Sequence, residues 1–150
     1  MTEREGGWFA VGEASWEEAQ QELLGVRRAV FIEEQGVAPE IEIDGKDPLC
    51  RHVRAWAEDG LIIGTARIEA DGHIGRVAVL LPWRRRGVGR AMMETLAAMA
   101  QEAGLQRVYL NAQVEAAAFY RGLGYHGEGE EFLEAGIPHR RMSRTLGMGR

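Results

Sequence analysis

Residues 84 to 90 read Arg-Arg-Arg-Gly-Val-Gly-Arg, four guanidinium groups around two glycines. They follow an aliphatic run, Val77-Ala78-Val79-Leu80-Leu81, that Pro82 closes by removing a ladder N–H. They precede Met92, Met93, Leu96, Met99 and Ala100, which recur at helical spacing up to a stop at Gly104. The unit reads as buried strand, basic turn and helix. The first N–H groups of a helix have no internal partner and carry partial positive charge. Gly87 and Gly89 let an anion approach that backbone with no Cβ in the way, and Arg84, Arg85, Arg86 and Arg90 add charge that no physiological pH removes. Capture of a phosphate or a pyrophosphate is the chemistry this spacing supports. The turn lacks the lysine and hydroxyl of G-x-x-x-x-G-K-[ST] and the three glycines of the dinucleotide fingerprint, and spells R-x-x-G-x-G instead. By itself that spelling also fits an arginine-rich helix start on a solvated face.

Other chemistries find less support. No G-x-S-x-G and no cysteine–histidine signature points to a covalent nucleophile, no pair has metal-ligand spacing, and His52 and His73 stand isolated, so no metal is expected. Cys50 is the one cysteine, which rules out an internal disulfide and fits a reducing cytoplasm. After Pro48 and Leu49, at the start of a strand, it reads as a packing residue. The net charge of −5 argues against broad nucleic-acid binding, and arginines clustered on an acidic chain suit one small phosphorylated ligand better than a polymer. No apolar run approaches the roughly 20 residues that span a bilayer. The charged start, Met1-Thr2-Glu3-Arg4-Glu5, is not followed by the apolar stretch of a secretory signal. A cytoplasmic chain is expected, with neither membrane nor nucleic acid as partner.

Several elements must position the turn. At 150 residues the chain is expected to form one domain, residues 1–150, with a real core. Trp8 to Val11 reads as a first strand. Ser15 followed by Glu18 is a capping-box signature, and Trp16, Ala19, Leu23, Val26 and Val30 space a helix from Trp16 to Glu34 that Gly36 ends. Residues 37–48 read as irregular, with Asp44 and Asp47 ordering the loop. Arg51 to Ala57 alternates as a half-buried strand, Glu58-Asp59-Gly60 turns into Leu61 to Glu69, and Ala70-Asp71-Gly72 turns into His73 to Leu81. After Gly104 come a strand, Arg107 to Asn111, a short alanine-rich helix over 116–125, a polar segment from Gly127 to Pro138, and a last strand, His139 to Leu146, before a frayed tail. Strands on either side of the central helix should lie parallel and part at their carboxyl ends, leaving a crevice with the anion turn at its mouth. The expected class is α/β, an α+β sandwich with a mixed sheet of about six to seven strands.

Two motifs together carry a resemblance. The turn from Arg84 to Gly89, and then Asn111 with Ala116-Ala117-Ala118-Phe119-Tyr120-Arg121-Gly122-Leu123-Gly124-Tyr125, resemble the coenzyme A loop and the A-x-x-F-Y-x-x-x-G-[FY] helix of the GNAT superfamily of acyl-CoA-dependent N-acyltransferases. Order and separation agree, and the likeness covers residues 8 to 146. Phe31 to Val37 and Glu134 to His139 look like the small bacterial ElaA-like branch.

The resemblance implies a GNAT fold and a bound acetyl-CoA co-substrate. Val77, Ala78 and Val79 would lie beside the pantetheine arm, Arg84, Arg85, Arg86, Gly87, Val88, Gly89 and Arg90 would take the pyrophosphate, and Asn111 would touch the coenzyme where the strands splay. Arg85 stands where many relatives have glycine. Tyr120 would stand near the sulfur as proton donor to the leaving thiolate, although its place on an apolar helix stripe also suits a core aromatic. A backbone N–H at a strand bulge near Val79 or Leu80 would stabilise the oxyanion. The base is open among Glu33, Glu34, His52, Glu134, His139 and a water chain. The activity implied is transfer of an acetyl group to a primary amine of a small molecule or peptide, by direct attack in a ternary complex. A non-catalytic acyl-CoA sensor is the alternative, and the Trp56 strand or the tail could serve a homodimer edge.

Overall fold

The computed structural model describes residues 7–147. The charged start and most of the tail expected to fray therefore lie outside the described residues. Seven strands form one mixed sheet in the order β1-β2-β3-β4-β5-β7-β6: β1 (Phe9–Ala14), β2 (Arg51–Ala57), β3 (Ile62–Ile68), β4 (His73–Val79), β5 (Arg107–Gln113), β6 (His126–Glu134) and β7 (Ile137–Thr145). Only β4 and β5 are parallel. They pair at His73 with Tyr109 and Ile74 with Leu110, then separate. No helix among the described residues is long and apolar enough to cross a membrane.

The helices cover both faces. On one lies α3 (Val88–Glu102), whose Met92, Met93 and Leu96 are fully buried against Val53, Ile63, Ile74, Val108 and Leu110. Each such side chain contributes about 1.5–3 kcal/mol of burial free energy. The helix ends as expected: Gly104 has φ 89, its N–H donates to the Gln101 carbonyl, and the Leu105 N–H reaches back to Ala100. On the other face lies α1 (Trp16–Arg27), packed through Ala19 and Leu23 on Ala14 and through Val26 on Ala78.

Several expectations need correction. The helix from Trp16 to Glu34 has the expected extent, but Arg28–Glu34 is wound as π-helix, and the Ser15 side chain makes no capping bond. The loop over 37–48 contains a helical turn, α2 (Pro39–Glu42), and leads into a 3₁₀ turn at Asp47–Leu49. Strand β4 stops at Val79, not Leu81, because Leu81–Trp83 forms a 3₁₀ turn in which Pro82 supplies the fixed φ that such a turn accepts. The polar segment from Gly127 is strand β6, joined to β7 by Ala135 and Gly136 at φ 52 and 76. As an edge strand bonded to β7 alone, β6 leaves most of its side chains exposed, so no apolar alternation marks it. The short helix α4 is Ala117–Gly122.

Strand β4 also carries a bulge. Thr65 pairs with Ala78 and Arg67 with Gly75, so Ala66 faces both Arg76 and Val77. One extra residue flips the side-chain parity: Ile74, Val77 and Val79 all pack beneath α3, whereas Ala78 turns to α1.

Candidate active site

Beyond Ile74 the strands β4 and β5 part, and the gap opens into a cavity of about 490 Å³. Its floor is the free edge of β4 from Gly75 to Val79, and one end is formed by Arg84, Arg85, Gly87, Gly89 and Arg90. In the ladder with β3, Leu80 donates its N–H to the Ile63 carbonyl. Since neighbouring positions alternate between ladder-bonded and outward-facing, Val79 turns its backbone toward the gap. The β4 bulge lies at Arg76 and Val77 rather than near Val79 or Leu80, where it was expected, and the Leu80 N–H is already bonded.

The basic turn has a definite shape. Arg85 lies at φ 65 and Gly87 at φ 89, so two left-handed residues bend the chain into α3. The N-cap residue of α3 is Gly87, which has no side chain with which to cap the helix. At Gly89 an added Cβ would stand 3.2 Å from Phe119 Cζ, so this glycine lets α4 pack against the turn. The Arg86 guanidinium lies 4.8 Å over the Trp83 ring. Arg84 points elsewhere: its Nε donates to the Val79 carbonyl at 2.8 Å, and its two Nη atoms donate to Glu34 at 2.7 and 2.6 Å. The Arg84 hydrogen bonds hold the Glu34 carboxyl below the usual carboxylate range.

Tyr120, on α4, lines the cavity while only 7% exposed, edge-on to Phe119 and Tyr125 with ring centroids 5.0 and 5.9 Å away. Burial, reinforced by Tyr125, pushes its phenol well above the ordinary value, so it stays protonated at any physiological pH. Asn111 lines the cavity where the strands separate, its Nδ2 donating to Glu134 at 3.3 Å. Val88 is buried, so only its backbone can face a ligand.

The base candidates divide by position. Glu134 and His139, brought in by the β6–β7 hairpin, line the cavity; His139 Nδ1 lies 2.6 Å from the Ile137 carbonyl. Glu33 and Glu34 are exposed and are not among the lining residues. His52 is buried away from the cavity, stacked on Trp16 at 5.0 Å, with Nε2 donating to the Asp47 carbonyl at 2.9 Å, and burial pushes its imidazole pKa down. A pair missed in the sequence does line the cavity: His73 Nδ1 stands 3.0 Å from Glu69 Oε2, and the ring stacks on Tyr109 at 4.9 Å. The available signal was the turn at Asp71-Gly72, which sets residues 69 and 73 opposite each other.

Along one wall of the cavity, with Glu42 and Arg67 in its lining, lies a second ensemble with no counterpart in the sequence reading beyond the loop-ordering role of Asp44 and Asp47. Arg27 bonds Glu42 at 2.7 Å and Asp47 at 2.8 Å, and Arg67 bonds Asp47 at 2.9 Å and Asp44 at 2.6 Å. Arg27, Glu42, Asp47 and Arg67 are all buried. For Asp47, burial alone would raise the carboxyl pKa, but hydrogen bonds from Arg27 and Arg67 outweigh it and hold it low.

A family model for the acetyltransferase (GNAT) domain matches residues 20–146. The chain belongs to the GNAT family. Its GNAT relatives include the uncharacterized N-acetyltransferase YjcF of Bacillus subtilis, 37% identical over 131 residues that cover 85% of this chain and 94% of the relative. Among solved structures, Escherichia coli ElaA is 32% identical with a TM-score of 0.78, covering 90% of this chain and 99% of ElaA. An acyl-CoA N-acyltransferase from Pseudomonas aeruginosa is 31% identical with a TM-score of 0.78, covering 91% and 99%. The small ElaA-like branch of GNAT proteins is thus supported, and membership of the family supports acyl transfer as the chain's chemistry.

Proposed function

We propose that this chain transfers an acetyl group from acetyl-CoA to a primary amine of a small molecule or peptide, by direct attack in a ternary complex. The observation that carries the reading is that a helix amino end led by glycine and a buried tyrosine line one cavity, with the outward-facing edge of β4 between them.

The peptide N–H groups of residues 85–90 receive the pyrophosphate, with Arg85 and Arg90 adding charge. The pantetheine arm lies along Val77 to Val79 as an added strand and meets Asn111 at the splay. A peptide N–H on the gap-facing edge of β4, such as that of Val79, polarises the thioester carbonyl. The amine nitrogen attacks the carbonyl carbon, the C–S bond breaks, and Tyr120 gives its proton to the departing thiolate. The amine's own proton must go to a base. The His73–Glu69 pair is the assignment we favour, through water, because it lines the cavity already oriented by a carboxylate; His139 is the second choice. Arg84 and Glu34 serve as a strut rather than as phosphate ligand and base.

Thiol release from acetyl-CoA, measured against a panel of polyamines, amino sugars, amino acids and peptides, tests the proposal. Release with at least one amine supports it. Tight binding of coenzyme A with no release across the panel would make the chain an acyl-CoA-binding module, and no heat of binding with coenzyme A would remove both readings.

A further inference from the structure

Arg76 is a non-glycine residue at φ 53, in a conformation that a side chain disfavours, and it sits within the β4 bulge. Such a geometry persists only where the surroundings over-determine it. The Arg76 side chain provides that. Its Nε donates to Glu42 Oε2 at 3.1 Å and to the Glu42 carbonyl at 3.3 Å. Its Nη2 donates to the carbonyls of Glu42 at 2.8 Å and Ile41 at 3.3 Å, and to Asp44 Oδ2 at 3.3 Å. The anchor is itself fixed, since Glu42 is 3% exposed and its Oε2 also accepts from Arg27 at 2.7 Å.

Ile41, Glu42, Arg76 and Val77 all line the cavity, so one guanidinium joins the bulge to the wall that faces it. We propose that Arg76 is a positioning residue: by clamping to Glu42 and Asp44 it holds the β4 bulge in place, and with it the gap-facing backbone of β4 up to Val79 on which the proposed polarisation of the thioester carbonyl depends. Released, the extra residue can relax along the strand, and the parity that turns Val77 and Val79 to one side and Ala78 to the other is no longer enforced. This rests on the acyl-transfer reading above.

Arg76→Gly is the informative variant, because glycine accepts a φ near 53° without strain while the clamp is lost. Three readouts separate the possibilities: calorimetry with coenzyme A, steady-state turnover, and difference infrared spectroscopy of carbonyl-labelled acetyl-CoA on the protein. The expected result is a coenzyme A affinity within about threefold of the parent, a kcat lower by roughly 10–100-fold with little change in KM for acetyl-CoA, and a carbonyl stretch moved back toward that of free acetyl-CoA. A kcat within threefold of the parent together with an unmoved carbonyl stretch overturns the proposal. If the glycine variant does not fold, Asp44→Asn loosens one arm of the clamp, and an unmoved stretch there is equally fatal. If the parent releases no thiol with any amine, the acyl-transfer reading fails, yet the carbonyl stretch of bound acetyl-CoA still reports on Arg76.

Discussion

Glu34 and Arg84 meet as a two-pronged ion pair, with N–O distances of 2.7 and 2.6 Å, while Arg84 Nε holds the Val79 carbonyl at 2.8 Å. One side chain thus ties the end of the π-helical segment to the end of the strand that borders the cavity. A carboxylate engaged on both oxygens and held in its charged form has little capacity to accept a proton from an amine.

Glu34→Gln is therefore expected to leave kcat within tenfold and to lower stability by no more than about 1 kcal/mol, as for other exposed pairs. His73→Gln is expected to lower kcat/KM by roughly 10²-fold. Steady-state kinetics from pH 5.5 to 9 would decide between them; the reverse order of effects returns the base to Glu34.

Tyr120→Phe removes one hydroxyl and leaves the ring in place, so the melting temperature and the coenzyme A affinity should hardly move. Loss of the proton donor should lower kcat by about 10²–10⁴-fold. Because burial raises the phenol pKa, the parent enzyme should show no alkaline decline attributable to Tyr120 up to pH 9. A variant with near-normal turnover would make Tyr120 a core aromatic.

The basic turn allows stability and affinity to be separated. Arg85 at φ 65 bears a left-handed penalty of about 1–2 kcal/mol, against roughly 0.5–1 kcal/mol of extra chain entropy for glycine, so Arg85→Gly should melt at an equal or higher temperature. Coenzyme A should nevertheless bind about tenfold more weakly through the lost charge. Gly87→Ala should do the opposite to stability, costing about 1–2 kcal/mol at φ 89 even though its Cβ meets open space. Paired thermal melts and calorimetry check both.

Acid should unfold the protein through its buried ion cluster. Burial alone would raise the Asp47 and Asp44 carboxyls, but hydrogen bonds from Arg27 and Arg67 to the first, and from Arg67 to the second, lower both. With folded values below unfolded ones, their stabilisation is complete above about pH 3.9 and is lost as pH falls through the folded values. His52, its imidazole pushed down by burial, adds an earlier loss that begins below about pH 6.5. Melting temperatures from pH 8 to pH 2.5 should show a shallow decline and then a steep one. Asp47→Ala at pH 7 should cost up to about 3–5 kcal/mol, because it leaves Arg27 with Glu42 as its remaining carboxylate and Arg67 with Asp44. A flat profile down to pH 3 would contradict the assignment.

Strands β2 and β3, helix α3 with its Gly104 stop, the turn of Arg84 to Arg90 and the helix bearing Tyr120 were all legible in the residues, because glycine φ preferences, apolar periodicity and an exposed helix end are properties of neighbours along the chain. The β6 strand was not, since its polar residues qualify as strand only by bonding to β7. Nor was the bulge at Arg76, which exists relative to the register of β3. Likewise, nothing local says that Glu34 closes on Arg84, that Asp47 lies between Arg27 and Arg67, or that His73 and Glu69 share the cavity with Tyr120. The amino-acid sequence by itself determined where a basic, glycine-bearing turn opens into a helix and which face of that helix is apolar. Only the tertiary structure decided which charges are paired with one another and which line the cavity, because the pairing of long side chains depends on distances set by sheet register and by the burial of groups far apart in the chain.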